Sequence, residues 1–314
     1  MKPLARPKFV LLLAAISSAQ FVAAQAPPDA GGHPDFAGIW NSATATPVER
    51  PAQLKNKEFF TPKEAAEWER ATNAENQNPS PVNSNNPGTY NVVFFEFGSH
   101  VVKTLRTSIV TDPPDGQIPA LTPAAAAEKR RRMELLRHPR GPQDLGLQDQ
   151  CLVFPTAVPP MIPYWYNSNY QIVQTADEVI VNVEMIHDSR IIHLKRRAHL
   201  PSNVRLWLGD SIGRWEGKTL VVDTANFNDG GGFYGDAGGM YGWDRNLHVV
   251  ERFSLLDAGT ILYRFAVDDA TAYTRPWKGE LTMARASGPV YEYACHEGNY
   301  ALPNLLRIFR AGQP

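Results

Sequence analysis

The chain has few cysteines, almost no net charge and a balanced composition, and each of these features excludes a class of protein. Two cysteines in 314 residues are too few for a small disulfide-rich scaffold. Lysine and arginine number 31 against 32 aspartate and glutamate, so the chain lacks the basic excess that nucleic-acid binding requires. With 43% hydrophobic and 20% charged residues, it is neither disordered nor collagen-like. We therefore expect a folded protein with no nucleic-acid partner.

An apolar run at the N-terminus is short and has the pattern of an export signal. Three basic residues precede the apolar residues 9–16, and a small-residue cleavage site ends at Ala24. This pattern predicts a signal peptide over residues 1–24, cut before Gln25, and a secreted or periplasmic protein with no membrane span after cleavage. A retained membrane anchor is the alternative, and polar residues that follow the apolar run disfavour it. Cleavage would remove three positive charges and change the net charge from −1 to −4.

The predicted export bears on the redox state of the two cysteines. In an oxidising compartment the economical interpretation of Cys151 and Cys295 is a single disulfide between the middle of the chain and its end. Two free thiols are the first alternative. A catalytic pair of Cys295 with His296 is the second, although adjacent side chains on a strand point to opposite faces.

The chain after the signal peptide is predicted to be a flexible N-terminus over residues 25–34 and one β-rich domain over 35–314. Within that domain, residues 35–150 are expected to wrap around a β-body formed by residues 151–314. A capping box at Thr61-Pro62-Lys63-Glu64 and a Thr122-Pro123 start signal predict two helices in the wrapping segment.

Short strands joined by tight turns dominate the second half of the chain. Hairpins are predicted for residues 170–186, for 213–224 around Glu216-Gly217-Lys218, and for 248–268, with a late strand at 291–295. The absence of a βαβ pattern favours a mainly β fold, either all-β or α+β. Its antiparallel hairpins would form a curved sheet or a lipocalin-like barrel, with the two N-terminal helices packed outside.

Strand alternation places several ionisable residues on or near apolar faces. The phase of Val181 and Val183 carries His187 to the apolar side if the strand stays regular, and Glu251 lies between Val249 and Phe253. Such groups could line a pocket and carry acid/base chemistry, or each could be a satisfied buried polar group. The catalytic candidates are His187, Asp188, Glu251 and Asp223. The binding candidates are Arg190, Tyr263, Asp269, Trp243, Tyr234 and His248.

Metal and cofactor motifs are absent from the sequence. Five histidines, among them His187, His193 and His199, follow residue 180, but no His-x-His, His-Glu-x-x-His or paired-cysteine spacing occurs. Phosphate loops, dinucleotide fingerprints and nucleophile elbows are also missing. We therefore expect no metal and no cofactor.

Several motifs together resemble an uncharacterised family of secreted bacterial proteins. They include Asp35-Phe36-Ala37-Gly38-Ile39-Trp40-Asn41, His187-Asp188-Ser189-Arg190, Trp207-Leu208-Gly209-Asp210-Ser211, Gly213-Arg214-Trp215-Glu216-Gly217 and Tyr293-Ala294-Cys295-His296-Glu297-Gly298-Asn299-Tyr300. The resemblance covers most of the chain and implies an exported protein, but it brings no activity and no site residues with it. The hairpin region is also similar to lipocalin-type barrels.

Two functions from different classes are compatible with these features. The first is a cofactor-independent acid/base enzyme, a lyase, isomerase or hydrolase, acting on an apolar, phenolic or glycosidic small molecule. The second is a binding module without catalysis, for a hydrophobic or sugar ligand, in which the same polar groups only orient the ligand.

Overall fold

A computed structural model describes residues 32–76, 95–228 and 245–311. The predicted signal peptide lies outside these residues. The described residues form three α-helices and ten β-strands. The helices are α1 (Pro62–Asn76), α2 (Pro123–Arg137) and α3 (Ala301–Ala311). The strands are β1 (Gly38–Asn41), β2 (Val110–Asp112), β3 (Asn169–Gln174), β4 (Glu178–Val183), β5 (Ser189–His193), β6 (Asp210–Glu216), β7 (Thr219–Ala225), β8 (His248–Asp257), β9 (Thr260–Asp268) and β10 (Trp277–Arg285).

The two predicted helices begin where their capping signals lie. Thr61 and Glu64 form a reciprocal capping box, in which the Thr61 N–H donates to the Glu64 carboxylate at 2.8 Å and the Glu64 N–H donates to Thr61 Oγ1 at 3.3 Å. Thr122 Oγ1 accepts from the Ala125 N–H at 3.2 Å. The C-terminal helix α3 was not predicted. None of the described helices is both long enough and apolar enough to cross a membrane.

Nine of the ten strands close into a barrel. The strand order is β1-β3-β4-β5-β6-β7-β8-β9-β10, and β10 pairs back onto β1 to complete the ring. All neighbours are antiparallel except β5 and β6, which run parallel and are joined by a crossover segment, residues 194–209. The short strand β2 pairs with β10 beside β1. The predicted mainly β fold with a lipocalin-like barrel is confirmed by this strand pairing.

The predicted hairpins are confirmed and the predicted late strand is wrong. Strands β3–β4, β6–β7 and β8–β9 pair as expected. Residues 291–295 form no strand, and the ring is instead closed by β10. The reason lies in pairing, because β9 offers β10 eight register partners, whereas residues 291–295 pair with no strand in the described part of the chain.

The barrel interior is filled by side chains. Alternation along β3 and β4 buries Ile172, Val181 and Val183, and β8 and β9 add aromatic rings at Phe253 and Tyr263. Residues 153–162, here called the plug segment, enter the same core, where Val153, Phe154, Val158 and Met161 are all buried. The interior is therefore a packed core over its described part.

The predicted disulfide is confirmed. Cys151 and Cys295 are bonded across 144 residues, and no described cysteine is free. Cys151 directly precedes the plug segment, so the bond ties the plug to the stretch of chain before α3.

We predict that removal of this disulfide destabilises the protein. Opening a loop of this length costs about 4 to 5 kcal/mol in the chain-entropy model, and measured losses are often smaller. Urea unfolding of the Cys151→Ala, Cys295→Ala double variant should show a midpoint well below that of the unreduced protein. Reduced wild type serves as the control and should match the variant. An unchanged midpoint in both would contradict the prediction.

Candidate functional site

The most deeply buried charges in the described chain form one ion pair inside the barrel. Arg190 on β5 donates through both Nη atoms to the carboxylate of Glu251 on β8, with Nη2 at 2.9 Å from Oε1, and the two side chains are 2% and 0% exposed. Tyr263 Oη donates to Glu251 Oε1 at 2.8 Å and accepts from the Met161 N–H at 3.0 Å. Thr224 adds a weak contact to Oε2 at 3.5 Å.

These interior groups hydrogen-bond one another, and Nε of Arg190 has no partner among the described residues. The bidentate Arg190–Glu251 pair, completed by the Tyr263 hydroxyl, offsets the desolvation of two charges. Burial raises the pKa of Tyr263 well above its ordinary value, which keeps its hydroxyl protonated as a donor. Glu251 and Tyr263 therefore lie inside as the alternation indicated, together with Arg190. Glu251 and Tyr263 fit the alternative of satisfied buried polar groups, and Arg190 fits it except at Nε. Catalytic or binding roles for them stay predictions.

His187 is not on the apolar side, which corrects the sequence-based placement. Strand β4 ends at Val183, and His187 follows in a single 3₁₀ turn, Met185–His187, where it is exposed. Its Nδ1 lies 2.9 Å from the carbonyl oxygen of Tyr293. The alternation of β4 cannot be extended through this turn, because the backbone there leaves the extended conformation.

Asp188, next to His187, is in a different environment. Burial raises the pKa of Asp188 to about 6, against the opposing effects of the His187 ring and the Phe154 N–H. Its Oδ2 is buried and has no hydrogen-bond partner in the described part of the chain. A carboxyl group in this state can hold a proton near neutral pH, which is a property of general acids.

A network of imidazoles and carboxylates lies on the outer wall, where β7 ends and β6 and β8 begin. Asp223 Oδ1 accepts from His199 Nε2 and from His248 Nε2, each at 2.9 Å. The other nitrogen of His199, Nδ1, lies 3.0 Å from Asp210 Oδ2. Asp210 also binds Arg196 and the Leu200 N–H, so the crossover segment is fastened to β6 and β7.

His199 and His248 contact the carboxylates in different ways. Both ring nitrogens of His199 face carboxylate oxygens, and ionised carboxylates only accept hydrogen bonds. His248 uses only Nε2 for Asp223, and no described residue bonds its Nδ1. Its side chain is 41% exposed.

The pKa shifts follow from these contacts. The hydrogen bond from His248, reinforced by His199, lowers the pKa of Asp223 to about 2 against its partial burial. The same bond to Asp223 raises the pKa of His248, with a smaller contribution from the charge of Asp268. Burial alone would raise the pKa of Asp210, but hydrogen bonds from Arg196, Leu200 and His199 outweigh it and lower that pKa.

Asp223 lies on the opposite side of the barrel wall from Glu251, which corrects the expectation of an inner apolar face. Val222 is paired with Glu251 and Thr224 with Val249, and paired residues share a face. Asp223, between Val222 and Thr224, therefore points outward. His248 lies on the outer wall too, as its alternation with Glu251 indicated.

The remaining candidates do not join either group. Asp269 is buried just after β9, where its Oδ1 accepts from the N–H groups of Thr271 and Ala272, each at 3.0 Å, and stabilises the turn. Trp243 and Tyr234 lie outside the described residues. The candidates within the described residues thus divide among the interior, the outer wall, the exposed turn at His187 and the turn after β9, and these candidates do not line one cavity.

Sequence reasoning missed the partners that complete the network. His199 lies within the irregular crossover segment, where no strand periodicity predicts which way a side chain points, and Asp210 is the first residue of β6 after it. The one available signal was the short spacing of His199, Asp210 and Asp223 around two predicted strands. No group of three or more described His, Cys, Asp or Glu side chains is arranged to hold a metal ion.

We predict that Glu251→Gln strongly destabilises the fold. The change leaves Arg190 charged and buried without a counter-ion, which costs about 3 to 5 kcal/mol in buried pairs. The control is Glu216→Gln, which removes an exposed partner of Arg214 and Arg252 and should cost less than about 1 kcal/mol. Denaturant unfolding of both variants measures the difference. Equal losses would show that the interior pair is not critical.

The raised pKa of Asp188 predicts a stability that depends on pH. An acid whose pKa is higher in the folded protein than in the unfolded chain favours folding below its unfolded pKa. That stability is lost as the pH rises from the ordinary value of 3.8 through the folded value of about 6. At pH 8 the free energy of unfolding of Asp188→Asn should therefore exceed that of wild type by about 1 kcal/mol for this partly solvated group. At pH 4 the variant should show no such gain. Thermal unfolding at the two pH values measures the difference. A gain that is the same at both values would refute the assignment.

Comparisons with known proteins give little support for a family. No protein-family model matches the chain, and no curated protein sequence matches it. Among solved structures, the chain is similar to a crystal structure of a point mutant of the fluorescent protein UnaG, with 15% sequence identity and a TM-score of 0.23. That match covers 38% of this chain and 72% of the other. The resemblance to secreted bacterial proteins stays a prediction, and the closed barrel is shown by the strand pairing of this chain.

Proposed function

We propose that the protein is a cofactor-independent acid/base enzyme acting on a small molecule, with His248 as its proton donor. The observation that supports this proposal is the Asp223–His248 contact at 2.9 Å, which leaves Nδ1 of a partly exposed imidazole available. A carboxylate that orients a histidine by one ring nitrogen while the other meets the substrate is a recurrent arrangement for proton transfer.

The charge state favours donation over abstraction of a proton. Because Asp223 raises the pKa of His248, the imidazolium form is more populated at neutral pH than that of a free histidine. General-acid catalysis by a positioned side chain contributes roughly 10²- to 10⁴-fold to a rate. A lyase, isomerase or hydrolase reaction that needs a proton at a leaving group or carbonyl oxygen fits this state.

His199, Asp210 and Arg196 act as positioning residues in this proposal. His199 shares Asp223 Oδ1 with His248, and it is itself held by Asp210. The crossover segment thereby fixes the carboxylate that orients His248. A rigid support of this kind is what a proton-transfer group needs to stay within reach of its substrate.

Ligand binding without catalysis is the second candidate function. The interior groups fit a protein without catalysis, because Glu251, Arg190 and Tyr263 hydrogen-bond one another and groups engaged in this way are poor proton donors to a substrate. In that case the outer network only locks the crossover segment to the barrel wall.

We also propose that the protein works outside the cytoplasm. The Cys151–Cys295 disulfide supports this location, because such bonds persist in oxidising compartments. The predicted signal peptide at residues 1–24 is consistent with it.

The acid/base proposal predicts a specific titration. In ¹H–¹⁵N spectra of the histidine rings, His248 should titrate above the ordinary value, and Asp223→Asn should lower its pKa. Exposed His138, which follows α2, serves as the internal reference, and its ring signals should be the same in wild type and in the variant. A pKa of His248 that does not respond to Asp223→Asn would contradict the proposed orientation.

Turnover distinguishes the two functions. Wild type would be screened against nitrophenyl glycosides, nitrophenyl esters and phenolic substrates at pH 6 to 8. For any substrate found, His248→Gln should lower kcat/KM by at least about 100-fold, whereas His138→Gln should leave it unchanged. Turnover that survives His248→Gln would remove His248 from the mechanism.

A further inference from the structure

A second site lies in a cleft on the barrel wall, apart from the imidazole–carboxylate network. It is found where β1 and β4 end and β3 begins, and residues 286–293 form its other side. Its volume is about 440 Å³, which is in the range of small-molecule pockets. Three tyrosines and three glutamates line it, without any lysine, arginine or histidine: Tyr166, Tyr291, Tyr293, Glu96, Glu184 and Glu292.

Two of the carboxylates are held in place by neutral donors. Glu184 accepts from Asn167 Nδ2 at 2.8 Å and from the Tyr291 N–H at 3.1 Å. Glu96 accepts from the side-chain amides of Asn41 and Asn169, each at 3.3 Å. Amide donors orient a carboxylate without cancelling its charge, and neither glutamate forms an ion pair with a lysine or arginine in the described part of the chain. The cleft therefore has an uncompensated negative charge.

The tyrosines supply aromatic faces beside these charges. Burial raises the pKa of Tyr166, and the charges of Glu184 and Glu96 raise it further, so the phenol is neutral and close to both carboxylates. Tyr293 is partly buried next to Tyr166, and burial raises its pKa too. Tyr291 is 69% exposed at the rim, where it can cover a ligand. Aromatic faces carry negative potential and attract cations.

Asn167 indicates an incomplete set of contacts at the wall of the cleft. Its side-chain NH₂ donates to Glu184, which fixes the orientation of the amide because a carboxylate only accepts. The opposite atom, Oδ1, is buried and has no donor among the described residues. This unpaired amide oxygen adds partial negative charge to the wall of the cleft, next to Glu184.

We propose that this cleft binds an organic cation, a quaternary or alkylated ammonium group. Negative charge without a counter-ion, combined with three aromatic rings in a cavity of organic size, selects a cation with an apolar surface. A neutral sugar would use the rings and amides but not the charge, and an anion would be repelled. This site does not depend on the role of His248, and its experiments have a separate readout.

Choline and its neutral isostere 3,3-dimethylbutan-1-ol test the proposal. They have the same shape and differ in one charge, so isothermal titration calorimetry of the full chain measures the contribution of that charge directly. Choline should bind at least about tenfold more tightly, and its affinity should fall as salt is added. Equal affinity for the two, or tighter binding of glucose than of choline, would overturn the proposal. So would no choline binding by folded protein up to about 10 mM.

Substitutions distinguish the contribution of the negative charge to choline affinity from that of the aromatic rings. Glu184→Gln should weaken choline about fivefold to tenfold, and Tyr166→Leu should do the same, whereas Tyr166→Phe should retain most of the affinity. The control Glu67→Gln removes the same charge from the exposed face of α1 and should have no effect. Circular dichroism confirms that each variant is folded. If Glu67→Gln weakens choline as much as Glu184→Gln does, binding reflects net charge and the cleft is not the site.

Discussion

The Arg190–Glu251 ion pair is the interaction on which the rest of the structure depends. It joins β5 to β8 through the interior of the barrel and recruits Tyr263 and, through it, the plug segment. Because two buried charges must satisfy each other, the interior cannot also serve as an open ligand cavity at this level. Both of the sites proposed above accordingly lie on the outer wall of the barrel.

The outer wall carries two sites of different character at one end of the barrel. The pairing directions place the ends of β1, β4, β7 and β9 at the same end as the starts of β3, β5, β6, β8 and β10. The imidazole–carboxylate network lies at the β6–β8 side of this end, and the tyrosine- and glutamate-lined cleft lies at the β1–β4 side. The first holds protons on histidines, and the second holds negative charge without a counter-ion. The proposed proton transfer and the proposed cation binding therefore use different strands.

Helix capping and strand alternation predicted those features that depend only on residues close together in the sequence. The capping box at Thr61 and the N-cap at Thr122 set the starts of α1 and α2, and alternation placed Glu251 inside because β8 stays regular across it. His187 was misplaced because β4 ends four residues earlier, and an alternation phase has no meaning beyond the end of its strand. Asp223 was misplaced because Val221, two residues before it on the same face of β7, is buried on the outer wall instead of inside.

The sequence by itself determined the mainly β class, the starts of α1 and α2, and which two cysteines a disulfide would join, because propensity, capping and a single cysteine pair are properties of neighbouring residues or of composition. Only the tertiary structure decided that His199 reaches Asp223, that Glu96 and Glu184 share a cleft, and that Arg190 meets Glu251. Each of these contacts joins residues far apart in the chain or reached through an irregular segment. Such contacts depend on how the ring closes, and no periodicity within one strand contains that information.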